Sequence, residues 1–498
     1  MEETGGNSVV NSNLAHKLDN ENIIGVKTND VPLKWCSVSL SDVISRGKRL
    51  EASVFDVEAK QARQIIKNSK YPSTTIGGEN GLTTSYTCAR FKRIWLEHSD
   101  LPIYQPSTIV DIKPIPDGYI SHLTKTDIEA LRVKKGQILM TCSGTIGKVS
   151  YVSDTLNNKI FSHDLLRINC KNTVDQGYIY AYLKSKVGNK ILLTNSYGAV
   201  ITHIESEHLT TVPIPDAPKE IKERIHNLIV ESFKLRDESN ELIDQATALL
   251  IDELKLPPIS EFEQNNNKNS ANVNAFSVKL SDLNGRADAS YHLPVVDSII
   301  EHFKNYAAEV TNIADKRISS DVVLPGRFKR VYVNSDYGVK FIGGKEMKQL
   351  DPSSEKYLSK KAHAKQLKGA LGIKKYSILT PARGSLGEVV MPCKHFYNWA
   401  ISDNMMQLLS NSKICGYLYI FLNSEYGKIL IQRFTYGGVV DAIEPWHIQQ
   451  VQIPLLKNQS IQNEINDLAL QANEKRYEAY LLEQEALRIM NEEVIYAK

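Results

Sequence analysis

The sequence predicts an α/β (α+β) protein built from one unit written twice, with two long antiparallel coiled-coil helices and a pseudo-twofold relation between the copies. Three observations lead there. "SGTIGKVSYV" at 143–152 and "RGSLGEVVMP" at 383–392 share Gly-x-x-Gly followed by an extended run. Extending that pair outwards keeps one register, with an offset near 240 throughout. Each copy also closes in a run free of Pro and Gly that carries a helical apolar stripe.

The register is dense. CSVSLSDV at 36 matches FSVKLSDL at 276, ARFKRIW at 89 matches GRFKRVY at 326, and VKKGQILM at 133 matches IKKYSILT at 373. Further on, GYIYAYLKSKVG matches GYLYIFLNSEYG, YGAVITHI matches YGGVVDAI, and VPIP matches VQIP. Collinear blocks at a fixed period mark an internal repeat. The boundaries follow: a polar leader at 1–35, a globule at 36–217, a central helix at 218–255, a linker at 256–275, a second globule at 276–457 and a C-terminal helix at 458–498.

Within each globule short apolar runs alternate with Gly, Pro and Asp turns. ILMTCSGTIGKVSYV reads as strand, tight turn, strand, because glycine takes positive φ at no steric cost. GYIYAYLKSKVGNKIL reads as a helix followed by a break. In the central helix Ile221, Ile225, Leu228, Leu235, Leu242, Ala246, Leu249 and Leu250 recur at spacings of mostly three, four or seven. Ile461, Ile465, Leu468, Tyr480, Leu481, Ala486 and Ile489 do so in the second. One such stripe cannot bury itself; two antiparallel helices can bury each other. The Pro-Pro and Asn-rich linker is a boundary.

Charge divides along the same lines. The chain carries net +3, but the globule at 36–217 holds 22 basic against 17 acidic residues, and that at 276–457 holds 24 against 16. The two helices are net −3 and −4. Basic globules suit a polyanion, whose phosphates supply sequence-independent affinity. Acidic helices suit each other or a protein partner. The six cysteines never fall at CxxC spacing, so they read as reduced thiols of a cytoplasmic protein. No apolar run is long enough to span a membrane, and the start lacks signal-peptide character. GxxxxGK[ST], HExxH, a GxGxxG before a helix and an Asn/Asp-Pro-Pro-aromatic tetrapeptide are all missing.

The order of parts resembles the specificity (S) subunit of type I restriction–modification systems, or an S-like subunit of a related methylation-based phage-defence system. The resemblance rests on the SGTIG and RGSLG turns, SHDLLRI, GYIYAYLKS, YGAVITHI and the VPIP…KEIKERI approach to a long helix, and it spans about 36–498. It implies a non-catalytic protein whose globules are target-recognition domains, each reading one half of a split sequence in double-stranded DNA. Its helices would set the spacing and dock two methyltransferase (M) subunits, with restriction (R) subunits joining in some systems. No cofactor is implied in this chain; S-adenosylmethionine belongs to the methyltransferase partner and ATP to the restriction partner. Two other readings stand beside this one: a coiled-coil assembly protein that reads no DNA, and a nuclease with an unrecognised site.

Candidate DNA contacts follow from charge and from the repeat. Arg90, Lys92 and Arg93 surround Phe91, and Arg327, Lys329 and Arg330 surround Phe328. They suit phosphate clamping, against the alternative of a solvated strand edge. Lys148 and Arg383 flank the two Gly-x-x-Gly turns, and Arg383 has the geometry to read guanine bidentately. The turns themselves read as phosphate-admitting loops or plain hairpins. Tyr197 and Tyr436, before loops expected to lead into strands, suit a sugar-phosphate contact or simple packing. His203 and His208 lie among Glu205 and Glu207, but the second copy retains one histidine, His447, so a metal is not expected there. The copies differ where readers of two half-sites should differ: Ser143 faces Arg383, Lys148 faces Glu388, and Thr202-His203 faces Asp441-Ala442.

Overall fold

A computed structural model describes residues 37–45, 48–198, 201–266, 276–283, 285–352 and 356–498. The leader, Cys36, Ala199, Val200 and the end of the linker lie outside the described residues. The described chain divides into two compact units, Leu33–Glu241 with Lys475–Lys498, and Leu242–Glu474. Each contains part of each long helix.

In chain order the first half forms α1 (Leu40–Ser45), α2 (Val57–Lys67), β1 (Ser73–Thr75), β2 (Thr83–Tyr86), β3 (Trp95–Leu96), β4 (Pro102–Tyr104) and β5 (Gly118–Ile120). It continues through α3 (Ile128–Leu131), β6 (Ile138–Thr141), β7 (Val149–Tyr151), β8 (Ile160–Phe161), β9 (Leu165–Cys170), α4 (Val174–Lys184), α5 (Lys186–Leu193), β10 (Pro213–Pro215) and α6 (Lys219–Glu253). The second half forms α7 (Ile259–Asn266), α8 (Pro294–Tyr306), β11 (Glu309–Asn312), β12 (Asp321–Val323), β13 (Gly338–Ile342), β14 (Tyr357–Ser359) and α9 (Ala364–Lys368). After these come β15 (Ser377–Pro381), β16 (Ala400–Ile401), β17 (Met405–Leu409), α10 (Cys415–Asn423), α11 (Glu425–Gln432), α12 (Pro445–Gln449), β18 (Gln452–Leu455) and α13 (Gln459–Ile489).

The repeat is one of topology as well as of sequence. The first unit has sheets ordered β2-β9-β6-β7, β3-β5-β4-β8 and β1-β10; the second has β12-β17-β15, β14-β13-β16 and β11-β18. In each, the second sheet contains one parallel pair, β4 with β8 or β13 with β16. A single polar side chain ties the two sheets together. Arg167, fully buried on β9, donates to the carbonyls of Leu131, Phe161 and Leu165 at 3.0–3.2 Å. Its counterpart on β17, buried Gln407, donates to the Ala370 and Gly372 carbonyls at 2.7 and 2.9 Å. The arginine of SHDLLRI is therefore structural.

The break expected after GYIYAYLK falls at Ser185, whose side chain caps α5; Ser424 does the same for α11. The glycine that opens each block has a different reason. A Cβ on Gly177 would lie 2.6 Å from the His226 Cα, and one on Gly416 would lie 2.3 Å from the Asn466 carbonyl oxygen. The short helix thus meets its long helix backbone to backbone. His226 Nδ1 accepts the Gly177 N–H, and Asn466 Oδ1 accepts that of Gly416.

The long helices run antiparallel. In the first unit Arg224 pairs with Glu493, Arg236 with Glu483 and Glu238 with Lys475. In the second, Ile243, Ala246 and Leu250 share one core with Ile465, Ala469 and Ala472. The seam is not apolar throughout, as the stripe suggested. Ser232, Ser239, Asn240, Arg476 and Glu483 are all buried. Glu483 receives Lys184 and Arg236, each at 2.7 Å, and the Tyr180 hydroxyl. Two segments hold structure that the sequence reading did not include. The linker opens with helix α7, because Phe262 buries itself edge-on to His302 and Tyr426. The C-terminal helix widens into a π-helical stretch, Met490–Ile495, that brings Met490, Val494 and Ile495 into the core.

Candidate nucleic-acid interface

Each Gly-x-x-Gly turn is a hairpin element. β6 pairs antiparallel with β7, and Leu379 on β15 bridges Val390. Gly144, Gly147, Gly384 and Gly387 all take positive φ, between 72° and 89°. The segment that follows each turn is anchored to a long helix: Asp237 accepts from Ser153 Oγ and the Asp154 N–H at 2.8 Å, and Asn473 donates to the Pro392 carbonyl at 3.1 Å.

The turn is joined to the Tyr-Gly loop by the same bonds in both copies. Gly144 N–H donates to the Thr202 carbonyl and Gly384 N–H to that of Asp441, at 3.0 and 3.1 Å. Ser143 and Tyr197 both bridge His203; Arg383 and Tyr436 both bridge Ala442. The segments after Tyr197 and Tyr436 return as bridges, not as the strands the sequence suggested. Both tyrosine hydroxyls donate to a glutamate, Tyr197 to Glu205 and Tyr436 to Glu444. His208 and His447 accept the backbone N–H of those same glutamates through Nδ1, each completing a helix capping box.

Arg383 shares Glu444 with Tyr436, at 3.2 and 2.6 Å. The hydrogen bond from Tyr436, aided by the hydrogen bond and charge of Arg383, holds the Glu444 carboxyl below its ordinary value against the opposing effect of burial. Arg383 is one-third exposed. It is preorganised, and a base edge would compete with Glu444 for it. Lys148 is half-buried and lies apart from the cleft beside Tyr197. Its counterpart Glu388 pairs with Lys348.

The two basic clusters lie on loops before β3 and before β13, not on strands. Arg90 and Lys92 are exposed, as are Arg327 and Lys329. Arg93 stacks over Phe91 and Trp95, and Arg330 pairs with Asp403. Phe91 meets His163 edge-on, and Phe328 meets His363 likewise, at 5.4 and 5.3 Å. Arg90 and Tyr197 line one cleft of about 410 Å³ with Ser143, His163 and Asp164. In the second copy a cleft of about 890 Å³ is lined by Gly384, Tyr436, Arg286 and Lys428, without Arg327, Lys329 or Arg330.

Two groups escaped the sequence reading. Arg49 donates to the Ser196 carbonyl at 2.8 Å, and Arg286 to those of Phe434 and Thr435 at 3.1 and 2.7 Å. Each is braced by an acid two residues on, Glu51 or Asp288. They hold the approach to Tyr197 and Tyr436, and their signal was the repeated Arg-x-acid-Ala-Ser of RLEAS and RADAS. The other group is the exposed lysines around α9, in a stretch from 356 to 376 with seven lysines and no acid.

Among the described residues no group of His, Cys, Asp and Glu could hold a metal ion, and no helix is long and apolar enough to cross a membrane. Residues 32–245 match the family model described as the type I restriction modification DNA specificity domain. That part of the chain is similar to the DNA specificity domain of type I restriction–modification systems. The matched region is the whole first repeat with most of its long helix. No curated protein matches the chain. Among solved structures it is similar to the S subunit of a type I restriction–modification system from M. genitalium, with 13% identity, 86% of this chain and 96% of that chain covered, and a TM-score of 0.30. It is also similar to the HsdS subunit from Thermoanaerobacter tengcongensis, with 13% identity, 84% and 98% coverage, and a TM-score of 0.25. A third match, to a structure on complex assembly and conformational transition of the type I R-M system, has 13% identity, 86% and 97% coverage, and a TM-score of 0.25.

Proposed function

We propose that this chain reads a bipartite sequence in double-stranded DNA and docks two methyltransferase subunits, and restriction subunits where the system has them. Globules 36–217 and 276–457 are the target-recognition domains; 218–255 and 458–498 are the spacer helices. The observation that carries this reading is the pair of welded turn-and-loop platforms. Both copies hold the same backbone frame by the same bonds, while the side chains on it differ: Ser143 against Arg383, His203 against Ala442. A common frame with exchanged side chains suits two readers of two different half-sites. Arg90, Lys92, Arg93, Lys148, Tyr197, Arg327, Lys329, Arg330, Arg383 and Tyr436 are the proposed DNA contacts. Exposed Arg90, Lys92, Arg327 and Lys329 serve phosphates, and Arg383 serves a base edge. S-adenosylmethionine and ATP act in the partner subunits, and the complex works in the cytoplasm.

The test is co-purification of the chain with the methyltransferase encoded beside it, with methylation calling on host DNA. A split methylated motif that vanishes when this gene is deleted is the expected result. A methylome unchanged by the deletion would overturn the reading.

A further inference from the structure

The two repeats differ most in charge at one connection, the one that leads from the second sheet back to the first. In the first repeat it runs from β5 through α3 to β6; in the second from β14 through α9 to β15. Both connections are built alike. Leu131, Ile120, Ile103 and Ile160 form a small core with Phe91 and Ile128 packed on it; Leu371, Leu358, Phe341 and Ala400 form its counterpart under Phe328 and Leu367. The aromatic of each basic cluster and the short helix therefore cover the same core and are neighbours on the surface.

Their charge differs in degree: residues 121–137 hold Lys125, Arg132, Lys134 and Lys135 against Asp127 and Glu129, whereas 360–376 hold six lysines and no acid. The α3 connection presents Asp127, which caps its own helix, and Glu129, which pairs with Arg132 at 2.9 Å. Around α9 stand Lys360, Lys361, Lys365 and Lys368, all exposed, and none of the four is ion-paired among the described residues. His363, between them in sequence, is buried; its Nε2 accepts the Val331 N–H at 3.0 Å and its ring meets Phe328 edge-on. That contact sets the segment that carries the lysines against the loop that carries exposed Arg327 and Lys329.

Like charges gathered on one short segment, as at Lys360, Lys361, Lys365 and Lys368, repel one another, and a polyanion relieves that repulsion. We propose that the four lysines around α9 form a sequence-independent clamp on the DNA backbone, stronger than anything the matching connection of the first repeat offers, so that the second repeat supplies the larger share of the electrostatic grip. The clamp rests on the DNA-reading function proposed above. It makes the two half-sites unequal: the second domain holds the duplex through phosphates, and the first depends more on its base contacts.

The experiment measures binding of the full chain to a long mixed-sequence duplex across about 50–200 mM salt. Each phosphate contact contributes about 0.9 to the slope of log K against log salt, so Lys→Gln at 360, 361, 365 and 368 together should make it shallower by about 3 or more. Lys→Arg at the same four positions should keep the slope. If the glutamine variant fails to fold, the single variants K361Q and K365Q carry the test, each expected to lower the slope by about 0.9. Wild-type binding with a slope unmoved by these changes overturns the clamp and leaves DNA reading intact. No duplex binding by the wild-type chain at any of these salt concentrations overturns both.

Discussion

Arg167 and Arg383 show how much a residue's meaning depends on what surrounds it. Both are arginines in motif blocks. Arg167 is fully buried and feeds three carbonyls. Arg167→Met should leave those carbonyls without donors and cost about 3 kcal/mol or more, read by chemical denaturation, with no specific effect on either half-site. Arg383 is partly exposed and held by Glu444. Arg383→Ala should weaken recognition of one half-site alone, by about 1–3 kcal/mol, measured on duplexes altered in one half-site at a time; equal loss at both would exclude it as a base reader. Sequence spacing distinguishes neither arginine from the other, because burial is a property of the packed sheet. Histidine gives the same lesson. HIESEH invites a metal reading, yet His208 caps a 3-10 helix through Nδ1, as His447 caps α12.

At the level of elements, the long helices were legible from their stripe, but the seam was not. The stripe predicts where leucine and isoleucine lie. It does not reveal that Glu483 meets Lys184 and Arg236, since Lys184 comes from another helix some 300 positions away. Burial alone would raise the Glu483 carboxyl, but Arg236 and Lys184 outweigh it and hold the value down to about 2. A carboxyl lowered from an ordinary 4.5 stabilises the fold fully above that pH. The contribution is lost as pH falls from there toward 2. Glu483→Gln leaves two cations facing a neutral group and should cost about 3–5 kcal/mol at neutral pH. It should also flatten the acid limb of stability against pH; an unchanged acid limb would place the cluster's energy elsewhere. The short helices carry a second test. Gly177→Ala and Gly416→Ala each push a methyl into a backbone and should cost about 1–3 kcal/mol. His226→Asn, which copies the acceptor of the second repeat, should be tolerated far better than His226→Leu; thermal unfolding of the three classes decides this.

For the whole molecule, the repeat is the organising fact, and departures from it carry the function. Topology, turn, loop and cap recur, as do the two anchoring arginines, Arg49 and Arg286. The charge density of the α3 and α9 connections does not recur, because surface side chains are free to diverge once the small core under each connection is closed. One consequence concerns the assembled complex. If the second repeat holds the clamp, raising salt should impair methylation of targets altered in the first half-site sooner than that of intact targets. Methylation assays on the two substrate sets over a salt series would show it; parallel curves would contradict it.

By itself the sequence determined the doubling, the α/β class, the helical spans, the positive-φ turns and the basic character of both globules. These rest on local periodicity, on glycine's backbone freedom and on composition, all of which survive without knowledge of distant contacts. Tertiary structure alone decided which charged groups are structural and which face solvent. It buried Arg167, paired Arg383 with Glu444 and Arg330 with Asp403, and filled the helix seam with ions. It also set the lysine-rich segment around α9 against the loop of Phe328, through His363 and the core beneath them. The physical reason is common to all of these. A charge's role follows from its desolvation and its partners, and those partners are brought together by folding from positions tens to hundreds of residues apart.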